Sequence, residues 1–168
     1  MKGTIICLFV LVFFSVPATL WAKGPTTKII IKGADLAQPI EIKDSNTLHS
    51  LRIWGGPGFT INGVPDTQTS LAIWSRGSVA EPSKELTEYE IAIYAKHYDE
   101  PEERIVYVVS YRYDSGSKQG YIYIPRTQLN MSTVTRGVEG NWFYAAPDFD
   151  KVLAPLIEKG RKSVPPTR

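Results

Sequence analysis

The chain has 168 residues, of which 43% are hydrophobic and 21% are charged, a length and composition typical of one globular domain. These values exclude most multidomain enzymes, collagen-like and coiled-coil proteins, and a disordered chain. The formal net charge is only +2, which gives no indication of a nucleic-acid-binding protein.

The first 22 residues have the pattern of a cleaved secretory signal peptide. Lys2 precedes an apolar stretch over residues 4–16, and a small residue stands before the expected cleavage site. This stretch is shorter than the roughly 18 apolar residues that span a bilayer, although an uncleaved anchor is the alternative. We therefore expect a secreted or periplasmic protein, with one globular domain over residues 23–160 and a flexible tail over residues 161–168.

The single cysteine of the chain, Cys7, lies inside this signal peptide, so the mature domain contains no thiol. Disulfides, cysteine nucleophiles and cysteine-based metal sites are therefore excluded from the mature domain. A domain of this size folds on its hydrophobic core alone, and the lack of disulfides is more typical of a bacterial envelope protein than of a small extracellular module.

The beginning of the mature domain predicts a hairpin followed by a short helix. Residues 27–32 and 39–43 are rich in isoleucine, and Gly33 with its neighbours supplies a turn between them. Asp44 is a good helix N-cap, and the apolar residues after it recur at near-helical spacing. Glycines and a proline over residues 55–58 end this helix, and the stretch that follows predicts irregular strands and loops.

Three consecutive strands of a meander are predicted over residues 89–98, 104–113 and 120–125. Because side chains alternate across a strand, each segment divides into an aliphatic side and a tyrosine side. Connecting loops of four and five residues would pair Tyr94 with Tyr107 and Tyr111 with Tyr121. Under that register the sheet has one aliphatic face and one tyrosine face.

The tyrosine face is the candidate binding surface for a glycan or an envelope protein. Tyrosine rings offer flat apolar area with a polar edge and lose little conformational entropy, which suits stacking on sugars or gripping a partner. The alternative is that this face is the covered inner side of a sandwich. The candidate ligand-binding residues are Tyr94, Tyr107, Tyr111, Tyr121 and Tyr123.

An amphipathic helix is predicted near the C-terminus. It begins at Pro147 and Asp148, ends at Gly160, and carries apolar residues at i, i+3, i+4, i+7 and i+8 from Phe149. Pro155 is expected to kink it. We therefore predict an α+β fold, mainly an antiparallel sheet made of the N-terminal hairpin and the three-stranded meander, with one short helix and this C-terminal helix packed on the aliphatic face.

No catalytic, metal or cofactor signature stands out in the sequence. Residues 54–58 contain three glycines but lack the Gly-Lys-Ser/Thr of a phosphate-binding loop. His49 and His97 lie on unrelated segments and are too few for a catalytic zinc. We therefore expect neither a metal nor a cofactor, and the leading hypothesis is a non-catalytic binding domain.

Two alternatives to a binding domain remain. The runner-up is an envelope hydrolase that acts on glycans or peptides through carboxylates such as Glu139 and Asp148. The third is a structural envelope protein without a small ligand. The segment 136–144 predicts a tight turn clamped by Arg136 and Glu139, followed by aromatic residues that plug the core, with a ligand-binding loop as its alternative reading.

Five segments spread over the mature chain carry a resemblance to known sequences: residues 23–26, 40–42, 54–58, 104–111 and 137–143. Together they resemble a family of small secreted proteins from soil-type bacteria to which no activity is assigned. The resemblance covers most of the mature chain. It implies an exported bacterial protein and provides no site residues or mechanism.

Overall fold

The computed structural model describes residues 24–51, 53–58, 60–65, 70–96, 102–131 and 135–162. The predicted signal peptide, His97 and the end of the predicted tail, residues 163–168, lie outside these ranges.

The elements in chain order are β1 Thr26–Gly33, β2 Ile40–Ile42, α1 Ser45–Ser50, β3 Thr60–Ile61, β4 Val64–Pro65, a 3-10 helix Trp74–Arg76, β5 Glu88–Lys96, β6 Glu103–Asp114, β7 Gln119–Tyr123, α2 Gln128–Met131, β8 Trp142–Tyr144 and α3 Pro147–Lys162. In the described part of the chain, six strands form one sheet in the order β2-β1-β5-β6-β7-β8, and all neighbours are antiparallel. Strands β3 and β4 form a small separate hairpin. The predicted α+β fold is therefore confirmed.

The N-terminal hairpin and the short helix form where the sequence predicts them. Strands β1 and β2 pair with Ile30 opposite Glu41. Asp44 is the N-cap of α1, and its carboxylate accepts hydrogen bonds from the backbone N–H of Thr47 at 2.8 Å and from the Thr47 hydroxyl at 2.7 Å. The bond from the backbone N–H satisfies a donor that the first turn of a helix leaves unpaired.

Strand β6 presents the opposite faces from those predicted. Its Tyr107 pairs with Ile93 rather than with Tyr94, and its Tyr111 pairs with Ile122 rather than with Tyr121. Strands β5 and β7 keep their predicted sides, so the tyrosines of β6 join the isoleucines of both neighbours on the buried face. The single tyrosine face predicted from the sequence is therefore wrong.

The difference in β6 comes from a shorter turn at one end of the strand and a register shift near the other end. Asp114 stays in the strand, and its carboxylate accepts bonds from the backbone N–H and hydroxyl of Ser117, which leaves a turn of only residues 115–118. At the other end, the β5–β6 register shifts between Ile93 and Tyr94. A shift of one residue moves every side chain of a strand to the other face.

Helix α3 covers the buried face of the sheet. Phe149, Leu153 and Ile157 lie in the core, as the helical spacing predicts, and the Phe149 ring meets the Tyr111 ring edge-on with centroids 6.1 Å apart. Helix α1 contributes Leu48 to the same core. Within the described ranges, no helix has the length and apolar character needed to cross a membrane.

Helix α3 does not end at Gly160, contrary to the prediction, but continues to Lys162. A Cβ atom at Gly160 would lie 2.9 Å from a Leu36 methyl group, so this glycine serves close packing against the β1–β2 connection rather than helix termination. Arg161, predicted to begin a flexible tail, donates to Asp35 at 2.5 Å and to the Tyr89 hydroxyl at 2.8 Å.

Strand β8 was not predicted, because its three aromatic residues were interpreted as a plug for the core. Only Phe143 points into the core, while Trp142 and Tyr144 pair across to β7 on the other face. The outer edge of β8 is covered by residues 71–79, whose backbone N–H groups donate to the carbonyls of Trp142 and Tyr144. Covering the edge removes a row of unpaired backbone groups from this side of the sheet.

A partly buried carboxylate joins α3 to the sheet. Asp150 accepts hydrogen bonds from the Tyr111 hydroxyl at 2.8 Å and from the backbone N–H of Gly120 at 2.9 Å. Burial raises the pKa of Asp150 and outweighs the opposite effect of these two bonds. Burial also raises the pKa of Tyr111 far above its ordinary value, so this hydroxyl remains a donor.

We expect Gly120→Ala to destabilise the protein by about 1 to 3 kcal/mol, the usual cost of overpacking a core. A Cβ atom at this position would overlap the Asp150 carboxylate and lie 2.7 Å from the Tyr111 ring. Gly116→Ala is the matched control, because its Cβ would lie 3.2 Å from a movable Asp114 oxygen in an exposed turn. Urea denaturation measures the free energy of unfolding of both variants. Equal values would contradict the close approach of Gly120 to Asp150 and Tyr111.

The raised pKa of Asp150 predicts a pH-dependent contribution to stability. A carboxyl group that is harder to ionise in the folded protein stabilises it below the unfolded pKa of about 3.9, and this contribution is lost as the pH rises through the folded pKa. The free energy of unfolding of the wild type minus that of Asp150→Asn should therefore fall with rising pH. Denaturation between about pH 3 and 8 tests this, and a difference that rises with pH would contradict it.

Candidate functional site

The five tyrosines predicted as a binding surface lie on both sides of the sheet. Tyr107 and Tyr111 are fully buried in the core at 0% exposure. Tyr121 and Tyr123 lie together on the other face, and Tyr94 lies on that face too, but on β5. The structure therefore brings only two of the five predicted residues together.

We call the outer side of the sheet, opposite α3, the open face. Solvent reaches it, because the side chains of Lys32, Glu88 and Glu90 on this face are exposed. Tyr94 stands at one side of the open face with the Lys28 ammonium 4.4 Å from its ring centroid. Lys28 also forms an ion pair with Glu103.

Four rings at the other side of the open face form what we call the aromatic strip: Tyr121 and Tyr123 of β7, and Trp142 and Tyr144 of β8. The Tyr121 and Tyr144 ring centroids lie 5.6 Å apart, and those of Tyr123 and Trp142 lie 5.2 Å apart. Both distances are in the range of favourable aromatic pairs. The three tyrosines are half-buried, while Trp142 is only 8% exposed and forms the floor of the strip.

Arg112 of β6 is a charged side chain of the open face that several hydrogen bonds hold in position. Its side chain is 10% exposed, and it donates to Glu88 at 2.6 and 3.0 Å, to Glu81 at 3.2 Å and to the carbonyl of Pro82 at 3.1 Å. Its guanidinium carbon lies 4.6 Å from the Trp142 ring centroid. Cation–π contact of this kind holds the indole in place and links the 79–88 segment to the strip.

A second arginine borders the strip at its outer edge. The guanidinium carbon of Arg76, in the 3-10 helix, lies 4.0 Å from the Tyr144 ring centroid. Burial and the neighbouring Tyr144 raise the pKa of Tyr121, so its hydroxyl remains a hydrogen-bond donor at neutral pH. The strip therefore combines ring faces with fixed polar groups.

Next to the aromatic strip, strands β5 and β6 carry a row of polar side chains that we call the polar belt: Glu88, Glu90, Ser110 and Arg112. Two shallow grooves open on it. One, of about 700 Å³, lies over Glu90 and Ser110, and the other, of about 520 Å³, lies between Arg112 and the Trp142 and Asn141 side.

Glu88 has a perturbed pKa within the polar belt. Its partial burial alone would raise the pKa, but hydrogen bonds from Ser110 and Arg112 and the charge of Arg112 outweigh this effect. The pKa of Glu88 is therefore lowered, and its carboxylate is ionised at neutral pH. It contributes stability above its unfolded pKa, and this contribution is lost as the pH falls through the folded pKa.

The carboxylates considered for a hydrolase are each bound within local structure. Glu139 accepts a hydrogen bond from the backbone N–H of Gly137 in its own turn, rather than closing the turn through Arg136. Asp148 pairs with Lys151 at 2.8 Å at the start of α3. Among the residues that the structure describes, no three histidine, cysteine or acidic side chains form a group that could hold a metal ion.

Sequence reasoning missed three of the most important residues of the open face. Trp142 and Tyr144 were assigned to a core plug, with a ligand-binding loop as the alternative, and not to a strand, because β8 has only three residues and no aliphatic alternation. Arg112 was overlooked because its neighbours Tyr111 and Tyr113 were assigned to the surface. The usable signal was alternation within residues 142–144, in which the outer two rings fall on one side of an extended chain.

Comparison with family models, with curated proteins and with solved structures found no match for this chain.

We expect Arg112→Met to raise the pKa of Glu88, because the burial of Glu88 remains while a hydrogen bond and a neighbouring positive charge disappear. Carbon-13 NMR titration of the glutamate carboxyl groups measures this change.

Arg76→Met is the matched control, since it removes an arginine from the other end of the aromatic strip. It should leave the Glu88 titration unchanged. If the pKa of Glu88 is unchanged in Arg112→Met, Arg112 does not control the ionisation of Glu88 in the polar belt.

Proposed function

We propose that this protein is a non-catalytic binding module that holds a glycan on the open face of its sheet, outside the cytoplasm. The observation that carries the proposal is the aromatic strip, in which two cross-strand ring pairs lie beside an anchored arginine and the polar belt. Sugar rings present apolar C–H faces and polar edges, and both kinds of surface are available here.

The chemistry of the open face favours a glycan over a protein partner. Protein interfaces bury a central cluster of apolar side chains within a polar rim. Among the described residues, the large hydrophobic side chain that is most exposed is Val64, on the separate β3–β4 hairpin. The strip itself is half-buried and is bordered by carboxylates and hydroxyls, which suits a ligand with many hydroxyl groups.

The order of the strands suggests how an extended ligand would lie. Across the sheet, Glu90 is opposite Ser110, and Ser110 is opposite Tyr123. A chain running along β7 would therefore have ring faces on one side and hydrogen-bonding groups on the other. Anchored side chains lose little entropy on binding, which favours affinity.

Location outside the cytoplasm is the second part of the proposal. It is supported by the N-terminal sequence, in which Lys2, an apolar stretch and a small residue at the expected cleavage site follow one another. The thiol-free composition of residues 23–168 is compatible with an oxidising compartment, because no free thiol would be exposed there.

We expect the double variant Tyr121→Ala, Tyr123→Ala to lose glycan affinity by about tenfold or more, which corresponds to about 1.4 kcal/mol or more for two lost stacking surfaces. Binding is first surveyed on an array of plant and microbial oligosaccharides. The strongest glycan is then measured with both proteins by isothermal titration calorimetry.

Tyr94→Ala is the matched control, because it removes a tyrosine from the same face outside the aromatic strip. It should bind like the wild type. Equal affinities of the wild type and the double variant, or an array on which no glycan binds, would overturn the proposed function.

A further inference from the structure

We infer that the ligand of the open face is an uncharged glycan rather than an acidic one such as a uronate or a sulfated polysaccharide. This inference rests on the proposed function and specifies its ligand class. It is carried by the number, the positions and the pairing of the charged side chains beside the aromatic strip.

Among the side chains that line the two grooves, carboxylates outnumber cations. Glu81, Glu88 and Glu90 face the grooves beside the strip, against the cations Arg112 and Lys32. The three glutamate side chains are between 44% and 52% exposed, so each keeps contact with solvent where a ligand would lie. An acidic ligand would therefore meet like charge at short range.

Both cations that line the two grooves are already bound to these carboxylates. Arg112 uses its three guanidinium nitrogens on Glu81, Glu88 and the carbonyl of Pro82. Lys32 pairs with Glu90 at 3.4 Å. To reach Arg112, whose side chain is only 10% exposed, an acidic sugar would have to displace a carboxylate from a partner that is already desolvated. To reach the exposed Lys32 it would have to displace Glu90, and replacing one surface ion pair by another gains little.

Arg76 is one cation outside the grooves to which an acidic ligand would turn instead. It is exposed, and its guanidinium stacks on Tyr144 at the outer edge of the strip. That edge lies across β8 and β7 from the polar belt. A charge there does not offset the three glutamates over the grooves, so uncharged hydroxyl groups remain the best match to the belt.

The inference is tested with three hexasaccharides of one length: cellohexaose, xylohexaose and hexagalacturonic acid. Calorimetry at low ionic strength should show at least one of the two neutral probes binding about tenfold or more tightly than the acidic probe, because exposed charges are least screened there. The difference should narrow in high salt.

Glu90→Gln removes one carboxylate of the polar belt and should reduce the preference for the neutral probe several-fold. Glu41→Gln is the matched control, because Glu41 is also exposed on the sheet and paired to a lysine, Lys43, but lies on the far edge strand β2. It should leave the preference unchanged. If both variants reduce the preference for the neutral probe equally, the assignment of this preference to the polar belt is overturned.

Three outcomes show whether the inference alone or the proposed function as well has failed. If hexagalacturonic acid binds as tightly as the neutral probes and the double variant Tyr121→Ala, Tyr123→Ala abolishes this binding, the inference is overturned while the proposed function stands. If none of the three hexasaccharides binds and no glycan on the array binds, both the inference and the proposed function are overturned. Acidic binding that is lost in Arg76→Gln would identify Arg76 as the anion contact and would also overturn the inference.

Discussion

The hydrogen bonds that join Asp150 to Tyr111 and Gly120 determine which side chains of the sheet are buried and which lie on the open face. A buried tyrosine needs an acceptor for its hydroxyl, and Asp150 of α3 provides one at 2.8 Å. The same carboxylate accepts from the backbone of Gly120 on the neighbouring strand. One side chain therefore fixes the helix on the sheet and the face that β6 presents to the core, and only a glycine leaves room for it.

The open face follows from that constraint. Because Tyr111 points into the core, the next residue, Arg112, must point outward, where it meets the glutamates of β5 and the 79–88 segment. Ser110 is outward for the same reason and lies between Glu90 and Tyr123. The polar belt and the aromatic strip are thus consequences of the packing on the other side of the sheet.

The two faces contribute to different properties of the molecule. The buried face carries aliphatic and aromatic side chains that are fully withdrawn from water and provide the driving force for folding. The open face holds its rings by cation–π and ring–ring contacts, which are weaker but leave polar edges available to a ligand. The proposed glycan site needs rigid rings more than a large apolar area, and the contacts with the two arginines favour that rigidity.

The local elements were determined by the sequence itself. Asp44 as an N-cap, the isoleucines of β1 and β2, and the apolar spacing from Phe149 along α3 act over a few residues, so their chemistry is readable without the rest of the chain. The face of β6, the role of Gly160 and the position of Trp142 were decided only by the tertiary structure. Each depends on a distant partner: Asp150 for Tyr111, Leu36 for Gly160 and Arg112 for Trp142. Register changes by a single residue with turn length, and burial then selects among registers that the local sequence allows equally.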